Sequence, residues 1–80
     1  MNTHVWSLKV MDLNPTTEQY EERYTMLCTS SNKARKKAVD YLNHIKNEDK
    51  ILENKYSKTL FCLTGGSGSA HCIIDRQLVV

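Results

Sequence analysis

Residues 30–45, SSNKARKKAVDYLNHI, are the stretch that decides the fold. Ser30 and Ser31 are both good N-cap residues, because a serine hydroxyl accepts a hydrogen bond from a free amide of the first helical turn. Apolar residues then recur at helical spacing, at Ala34, Ala38, Tyr41, Leu42 and Ile45. The pattern predicts one amphipathic helix with a polar outer surface.

The chain before this helix predicts a strand. Residues 3–13 alternate in polarity, as a half-buried strand does, with Trp6, Leu8 and Val10 on one face. Pro15 then interrupts the chain, because proline fixes the backbone angle φ and has no amide proton to donate. A first strand ending near Pro15 follows from these two observations.

Residues 19–29 fit two structures. As a helix, they would begin with a capping box formed by Thr16 and Gln19. As a strand, they would place on one face Tyr20, Tyr24, Met26 and Cys28. The enrichment in Tyr, Thr, Met and Cys from Tyr24 onward favours the strand.

After the helix, two apolar runs at 59–64 and 70–80 predict a closing hairpin around the loop Gly65–Ser69. If those five residues form the loop, Cys62 faces Cys72 across the hairpin. Residues 49–56 are predicted to form a short second helical piece. The chain thus predicts a single compact α+β domain over residues 1–80, with an antiparallel four-stranded sheet in strand–strand–helix–strand–strand order and the main helix on one face.

The closing hairpin is apolar on both faces. One predicted face holds Phe61, Leu63 and Ile73, and the other holds Leu60, Cys62, Cys72 and Ile74. Because a single helix covers only one face of a sheet, the second face must meet residues 49–56, a second copy in a homodimer, or a partner.

Size and composition bear on function and location. With 80 residues the core is thin, and a deep substrate cleft would remove core that the chain needs, so we expect no enzyme. No apolar run approaches the roughly 18 residues of a membrane span, and no secretory signal is visible. Three cysteines cannot all pair within one chain, which predicts reduced thiols and a cytoplasmic protein without membrane contact.

The residues that could carry chemistry do not form a recognised site. The loop Gly65–Ser69 continues into His71 and Cys72 instead of the Lys and helix of a phosphate-binding loop. Structural zinc usually takes four ligands in closely spaced pairs, a spacing that these cysteines and histidines lack. We therefore predict no catalytic residue, no metal ligand and no cofactor.

The most suggestive feature is a basic cluster at the start of the helix, formed by Lys33, Arg35, Lys36 and Lys37. Residues 33–58 carry eight Lys or Arg against four Asp or Glu, whereas residues 1–32 carry two against four. Cations near a helix N-terminus oppose its dipole, so an anionic partner would explain them, although a solvated helix face is the alternative. A flexible hairpin tip would supply a second contact loop, at Gly65, Gly66, Ser67 and Gly68.

Two resemblances bear on the partner. The helix start resembles the last helix of double-stranded RNA-binding domains, where a serine and clustered lysines begin an alanine-spaced helix; here Ser31, Lys33, Ala34, Lys36, Lys37 and Ala38 carry the likeness. The element order as a whole resembles small phage-encoded inhibitors, including anti-CRISPR proteins. That resemblance is one of architecture and implies no site residues.

Two functions follow as expectations. The first is a small non-enzymatic binding protein, an inhibitor or adaptor that docks on a larger protein or ribonucleoprotein complex. The second is a module that binds RNA or DNA through the basic helix start. Glu18, Glu21 and Glu22 lie near the tyrosines that could stack on bases and would repel phosphate, which favours the first function.

Overall fold

Five antiparallel strands and one α-helix form the fold, which a computed structural model describes for residues 3–79. The strands are β1 (Thr3–Asn14), β2 (Gln19–Cys28), β3 (Ile51–Ser57), β4 (Leu60–Gly65) and β5 (Ala70–Val79), and helix α1 (Ser31–Asp40) follows β2 in the chain. The order within the sheet is β2-β1-β5-β4-β3. The α+β class is confirmed, and the predicted number of four strands is wrong.

The first and last strands of the fold pair with each other at the centre of the sheet. β1 and β5 run antiparallel, from Thr3 opposite Val79 to Asp12 opposite Ala70. We call the end of the sheet near Trp6 the helix-start end and the end near Asp12 the loop end. At roughly 3.3 Å of rise per residue, about 20 Å of strand separates these two positions.

The strand that the sequence does not predict is β3. It occupies most of the segment 49–56 that was expected to be helical, and it pairs with β4 from Ile51, opposite Gly65, to Ser57, opposite Leu60. A segment of this length is marginal as an isolated helix, whereas a strand completes its hydrogen bonds on the neighbouring ladder. The predicted second helical piece is therefore wrong, and the predicted strand order with it.

The closing hairpin is shifted by one residue from the predicted register. Cys62 lies opposite Ile73 rather than Cys72, because β4 extends to Gly65 and residues 66–69 form the loop. Such a shift changes which side chains share a face, since successive residues of a strand point to opposite sides. The face toward the helix consequently holds Phe61, Leu63, Cys72 and Ile74.

A β-bulge in the first hairpin separates two tyrosines that the strand pattern places together. The register of β1 and β2 shifts after Val10. Tyr24 lies before the bulge and packs edge-on against Tyr41, with 5.9 Å between ring centroids. Tyr20 lies beyond it, on the opposite face, with its ring 4.2 Å from that of His71. β2 is a strand as favoured, but its aromatic residues do not share one face.

Helix α1 begins where the serine pair predicts. Ser30 is the N-cap, and its hydroxyl accepts a hydrogen bond from the amide of Lys33 at 3.2 Å. Ala34 and Ala38 are fully buried, and their small side chains let the helix lie close to the sheet. Across residues 3–79 no helix is long and apolar enough to cross a membrane.

The helix continues into a π-helical turn, Tyr41–Ile45. Tyr41 and Leu42 are buried, and the Tyr41 hydroxyl donates to the carboxylate of Asp12 at 2.7 Å. Burial, and then this hydrogen bond, raise the pKa of Tyr41. Ile45 is 65% exposed, so the predicted apolar stripe ends one turn earlier than expected.

The core lies between α1 and one face of the sheet, where the largest fully buried side chains are Leu8, Val10, Leu42, Cys72 and Ile74. We call the other side the open face, since within residues 3–79 the helix packs only on the first. Residues 49–56 do not cover the open face as one alternative expected, because β3 is itself part of the sheet. Leu52 on β3 is consequently 45% exposed.

Candidate functional site

A groove between α1 and the edge strand β2 holds three of the four predicted basic residues. We call it the lysine groove; it has a volume of about 450 Å³ and is lined by Met26, Leu27, Cys28, Thr29, Lys33, Lys36, Lys37 and Asp40. The start of α1 lies directly after β2, so the helix and the strand diverge from a common point near Ser30. Their divergence leaves the groove between them.

The lysine groove combines positive charge with apolar surface. Lys33, Lys36 and Lys37 are exposed, and none of them forms an ion pair with any residue that the structure describes. Met26 is half-buried on the helix side of β2 and forms the apolar floor, whereas the next residue, Leu27, is 62% exposed and points toward the open face. Because β2 is an edge strand, backbone amides and carbonyls along its outer side also lack strand partners within the described sheet.

The basic cluster reaches from the first turn of α1 to its last turn, so its residues differ in their interaction with the helix dipole. Lys33 lies in the first turn of α1, but Lys37 lies in its last turn, where a cation interacts favourably with the helix dipole. Only the beginning of the cluster therefore opposes the dipole. Mutual repulsion remains, because Lys33 and Lys37 are four residues apart on the same side of the helix.

Arg35 is separated from the three lysines. Its guanidinium forms an ion pair with Glu53 of β3 and lies 4.7 Å from the centroid of the Phe61 ring. It lines a second groove, which we call the aromatic groove, on the other side of the helix. This groove has a volume of about 420 Å³ and is lined by Trp6, Ser31, Arg35, Lys55, Tyr56, Ser57, Lys58 and Phe61.

Sequence reasoning did not find the aromatic groove, because its residues come from separate segments. Trp6 is on β1, Tyr56 is on β3 and Phe61 is on β4. A helical segment over 49–56 would not have aligned Tyr56 beside the other two. A β-propensity argument applied to Ile51, Leu52 and Tyr56 was the available signal.

The glycine loop lies at the loop end of the sheet, far from the lysines at the helix-start end. Two hydrogen bonds hold it: the amide of Ser67 donates to the Glu48 carboxylate at 2.9 Å, and the Ser67 hydroxyl donates to the same carboxylate. These hydrogen bonds, the hydroxyl first, lower the pKa of Glu48. The Tyr20 hydroxyl donates to the carbonyl of Gly68 at 2.6 Å. These contacts tie the loop to Glu48 and Tyr20, and the flexibility of the hairpin tip stays a prediction.

The predicted contact loop thus divides by accessibility. Gly65 is buried against Glu48, and Gly66 and Ser67 are exposed, with Gly68 partly buried at a φ of 79°. The structure does not bring this loop and the basic cluster together in one surface. Its role as a contact loop stays a prediction.

The open face carries a short polar chain at the sheet centre. Thr64 Oγ1 lies 3.0 Å from His71 Nδ1 and 3.5 Å from Cys62 Sγ. Burial lowers the pKa of His71, which favours the neutral imidazole. The sulfur contacts the threonine rather than the imidazole, so this arrangement lacks the direct thiol–imidazole hydrogen bond of a cysteine nucleophile.

The cysteines are buried and free. Cys28, Cys62 and Cys72 form no disulfide. Burial, and then the neighbouring Cys62, raise the pKa of Cys72 to about 12, and a thiol of this kind is unreactive at neutral pH. In the part of the chain that the structure describes, no three His, Cys, Asp or Glu side chains cluster as metal ligands.

Comparison with known proteins adds no family. No protein-family model, curated protein or solved structure matches the chain. The resemblances to double-stranded RNA-binding domains and to phage inhibitors accordingly stay predictions, and the site is judged by its own geometry.

Proposed function

We propose that this chain is a non-enzymatic binding protein, an inhibitor or adaptor that docks on a larger protein or ribonucleoprotein complex through the lysine groove. One observation supports the proposal above the others: three exposed lysines, none in an ion pair with a described residue, border an apolar floor whose lining includes a single carboxylate, Asp40. Such a surface suits a ligand that has both negative charge and apolar side chains. An acidic segment of a protein has both.

The neighbouring edge of β2 adds to this argument. Extended peptides bind to exposed sheet edges by continuing the ladder, and their side chains then enter adjacent pockets. The half of β2 near the lysine groove holds Thr25, Met26 and Leu27, whereas the half toward the loop end holds Glu21 and Glu22. An acidic segment would therefore pair beside the groove and be repelled further along the strand.

Nucleic acid bound to the same lysines is the alternative. Phosphate contacts need the cations but not the half-buried Met26, so the apolar floor favours a protein segment. In either case the affinity depends on charge and falls as salt rises. In its more specific form, the proposal is that the chain is a phage anti-defence protein and that the complex it binds belongs to the defence of the host.

The test is a quantitative pull-down from native cytoplasm with the parent chain and with Lys36→Glu/Lys37→Glu as baits. Both side chains are exposed, so the double variant should keep the fold. We expect the partner to remain bound after nuclease treatment. Its affinity for the double variant should be lower by more than about tenfold, because reversing charges at a contact that the complex buries commonly has an effect of this size. Lys50→Glu, at the loop end, reverses one charge and controls for half of the change in net charge that the double variant makes.

Three results would contradict this proposal. Equal affinity of parent and double variant would show that the lysines are only a solvated face. Loss of every partner after nuclease treatment, together with loss of nucleic-acid binding in the double variant, would assign the lysine groove to nucleic acid. An equal loss of affinity in Lys50→Glu would show an effect of net charge instead of a site.

A further inference from the structure

The aromatic groove brings three aromatic rings to the helix-start end of the sheet. The rings of Trp6 and Phe61 have centroids 6.2 Å apart and are inclined at 55°. Tyr56 is 68% exposed, an unusual position for a large ring on a small domain. A β-bulge between Lys55 and Ser57 leaves Tyr56 without a register partner on β4, and the side chain lines the groove.

The same groove is positively charged. Lys55 and Lys58 are exposed and form no ion pair with any residue between positions 3 and 79. Arg76 is exposed beside the groove, at the position of β5 opposite Trp6. Glu53, two residues before Lys55 on β3, is already paired with Arg35. The surplus charge at this end is therefore available to a ligand.

Part of the groove is rigid before any ligand binds. The ion pair with Glu53 and the contact with the Phe61 ring hold Arg35 in one place. Phe61 itself is 4% exposed and fixed in the core. A fixed floor with exposed rings and free cations at its rim needs little ordering on binding, which favours affinity.

We propose that the aromatic groove binds single-stranded nucleic acid, with a base stacked on Tyr56 and phosphates held by Lys55 and Lys58. Proteins that bind single strands combine these two elements, aromatic rings for base faces and cations for the backbone. The volume of about 420 Å³ is in the range of small-ligand sites, roughly 300–1,000 Å³, and suits one unstacked nucleotide. This inference goes beyond docking through the lysine groove and uses different residues.

The experiment titrates the protein with short oligothymidylate and oligouridylate while recording tryptophan fluorescence. Trp6 is the only tryptophan, so quenching reports on the groove itself. We expect saturable quenching, and for Tyr56→Ala a loss of affinity of about thirtyfold, the middle of the range found for single stacking residues. Tyr56→Phe should keep the affinity, since stacking needs the ring and not the hydroxyl.

A salt series separates the cations from the ring. For a single strand, each phosphate that the protein no longer neutralises reduces the slope of log K against log salt by about 0.7, so Lys55→Gln/Lys58→Gln should flatten it by about 1.4. Lys36→Gln/Lys37→Gln, with the same charge change in the lysine groove, is the matched control and should preserve Trp6 quenching. Circular dichroism checks that each variant is folded.

Four results would overturn the inference: binding without a change in Trp6 fluorescence, equal affinity of Tyr56→Ala and parent, the same quenching by poly-glutamate, or loss of binding only in the lysine-groove variant. Binding without a change in Trp6 fluorescence would place the nucleic acid outside the aromatic groove, and equal affinity of Tyr56→Ala would exclude the Tyr56 ring as a contact. The same quenching by poly-glutamate would show attraction of any polyanion. Loss of binding only in the lysine-groove variant would place the nucleic acid in the lysine groove. The first three leave the proposed docking through the lysine groove untouched, and the fourth would support its alternative, nucleic acid bound to the same lysines.

Discussion

Replacing Lys33 by glutamate should make the domain more stable while weakening its binding through the lysine groove. Lys33 is the third residue of α1, and its amide already donates to the N-cap hydroxyl of Ser30. The first turn of α1, which the structure describes in full, contains no acidic residue. A glutamate at this position would complete a capping box with Ser30 and place negative charge at the positive end of the helix dipole.

The expected magnitude follows from two contributions. A charge in the first turn changes stability by about 0.3–1 kcal/mol, and reversal counts this twice. The repulsion between Lys33 and Lys37 becomes an attraction, a change of about 0.4–1 kcal/mol. Because the side chain is exposed and salt screens it, we take the lower part of the range, about 1 kcal/mol. In a domain of this size that raises Tm by roughly 4–8 °C.

Thermal unfolding followed by circular dichroism measures the effect at low salt and at about 1 M salt, where the Debye length is only about 3 Å. Lys33→Gln should give about half of the gain, because it removes a charge without reversing it. Lys50→Glu has the same change in net charge outside the helix and should leave Tm nearly unchanged. An unchanged or lower Tm for Lys33→Glu at low salt would refute the reasoning, as would an equal gain in Lys50→Glu.

Four further predictions concern the core, the titrating groups, the metal content and the open face. Ile74→Ala should lower the free energy of unfolding by about 2–5 kcal/mol in urea unfolding, since the side chain is fully buried. Leu78, on the same strand, is 52% exposed, so Leu78→Ala should lower it by about 0.5 kcal/mol or less. Burial raises the pKa of Cys72 to about 12 and that of Tyr41 as well. Both groups therefore stabilise the fold fully below about pH 8.5 and lose that contribution as the pH rises. A urea midpoint that stays constant above pH 9 would contradict this. A chelator should leave Tm unchanged, and a fall of several degrees would indicate a structural metal. Sedimentation at micromolar concentration should show a homodimer formed through the open face, and a monomer that binds no hydrophobic dye would exclude it.

The part of the fold that local sequence determines is the part that was predictable. Ser30 caps the helix by accepting a hydrogen bond from the amide of Lys33, three residues further along the chain. The alternation over Trp6, Leu8 and Val10 predicts the strand and its buried face directly. Both signals lie within a few residues of the element that they define. They fixed the α+β class and the direction of the core.

What failed depends on contacts between distant segments. A short apolar segment such as Ile51 and Leu52 fits either period, and only pairing with β4 makes it a strand. The bulge after Val10 moves Tyr20 to the other face without any change in its local pattern. The candidate sites follow the same rule. The lysines are visible as a run in the sequence, whereas the Arg35 side chain lies in the other groove because it pairs with Glu53, eighteen residues further along the chain.

The pairing of β1 with β5 constrains the order in which the domain can be made. The centre of the sheet pairs the earliest strand of the fold with the latest. During synthesis β1 can therefore form strand hydrogen bonds only with β2 until β5 has left the ribosome. An isolated hairpin is marginally stable in water, and the core side chains Leu8 and Val10 must wait for Cys72 and Ile74. The fold is therefore completed only after β5 has been synthesised, and a nascent chain stalled before residue 70 exposes its unfinished core to chaperones and proteases.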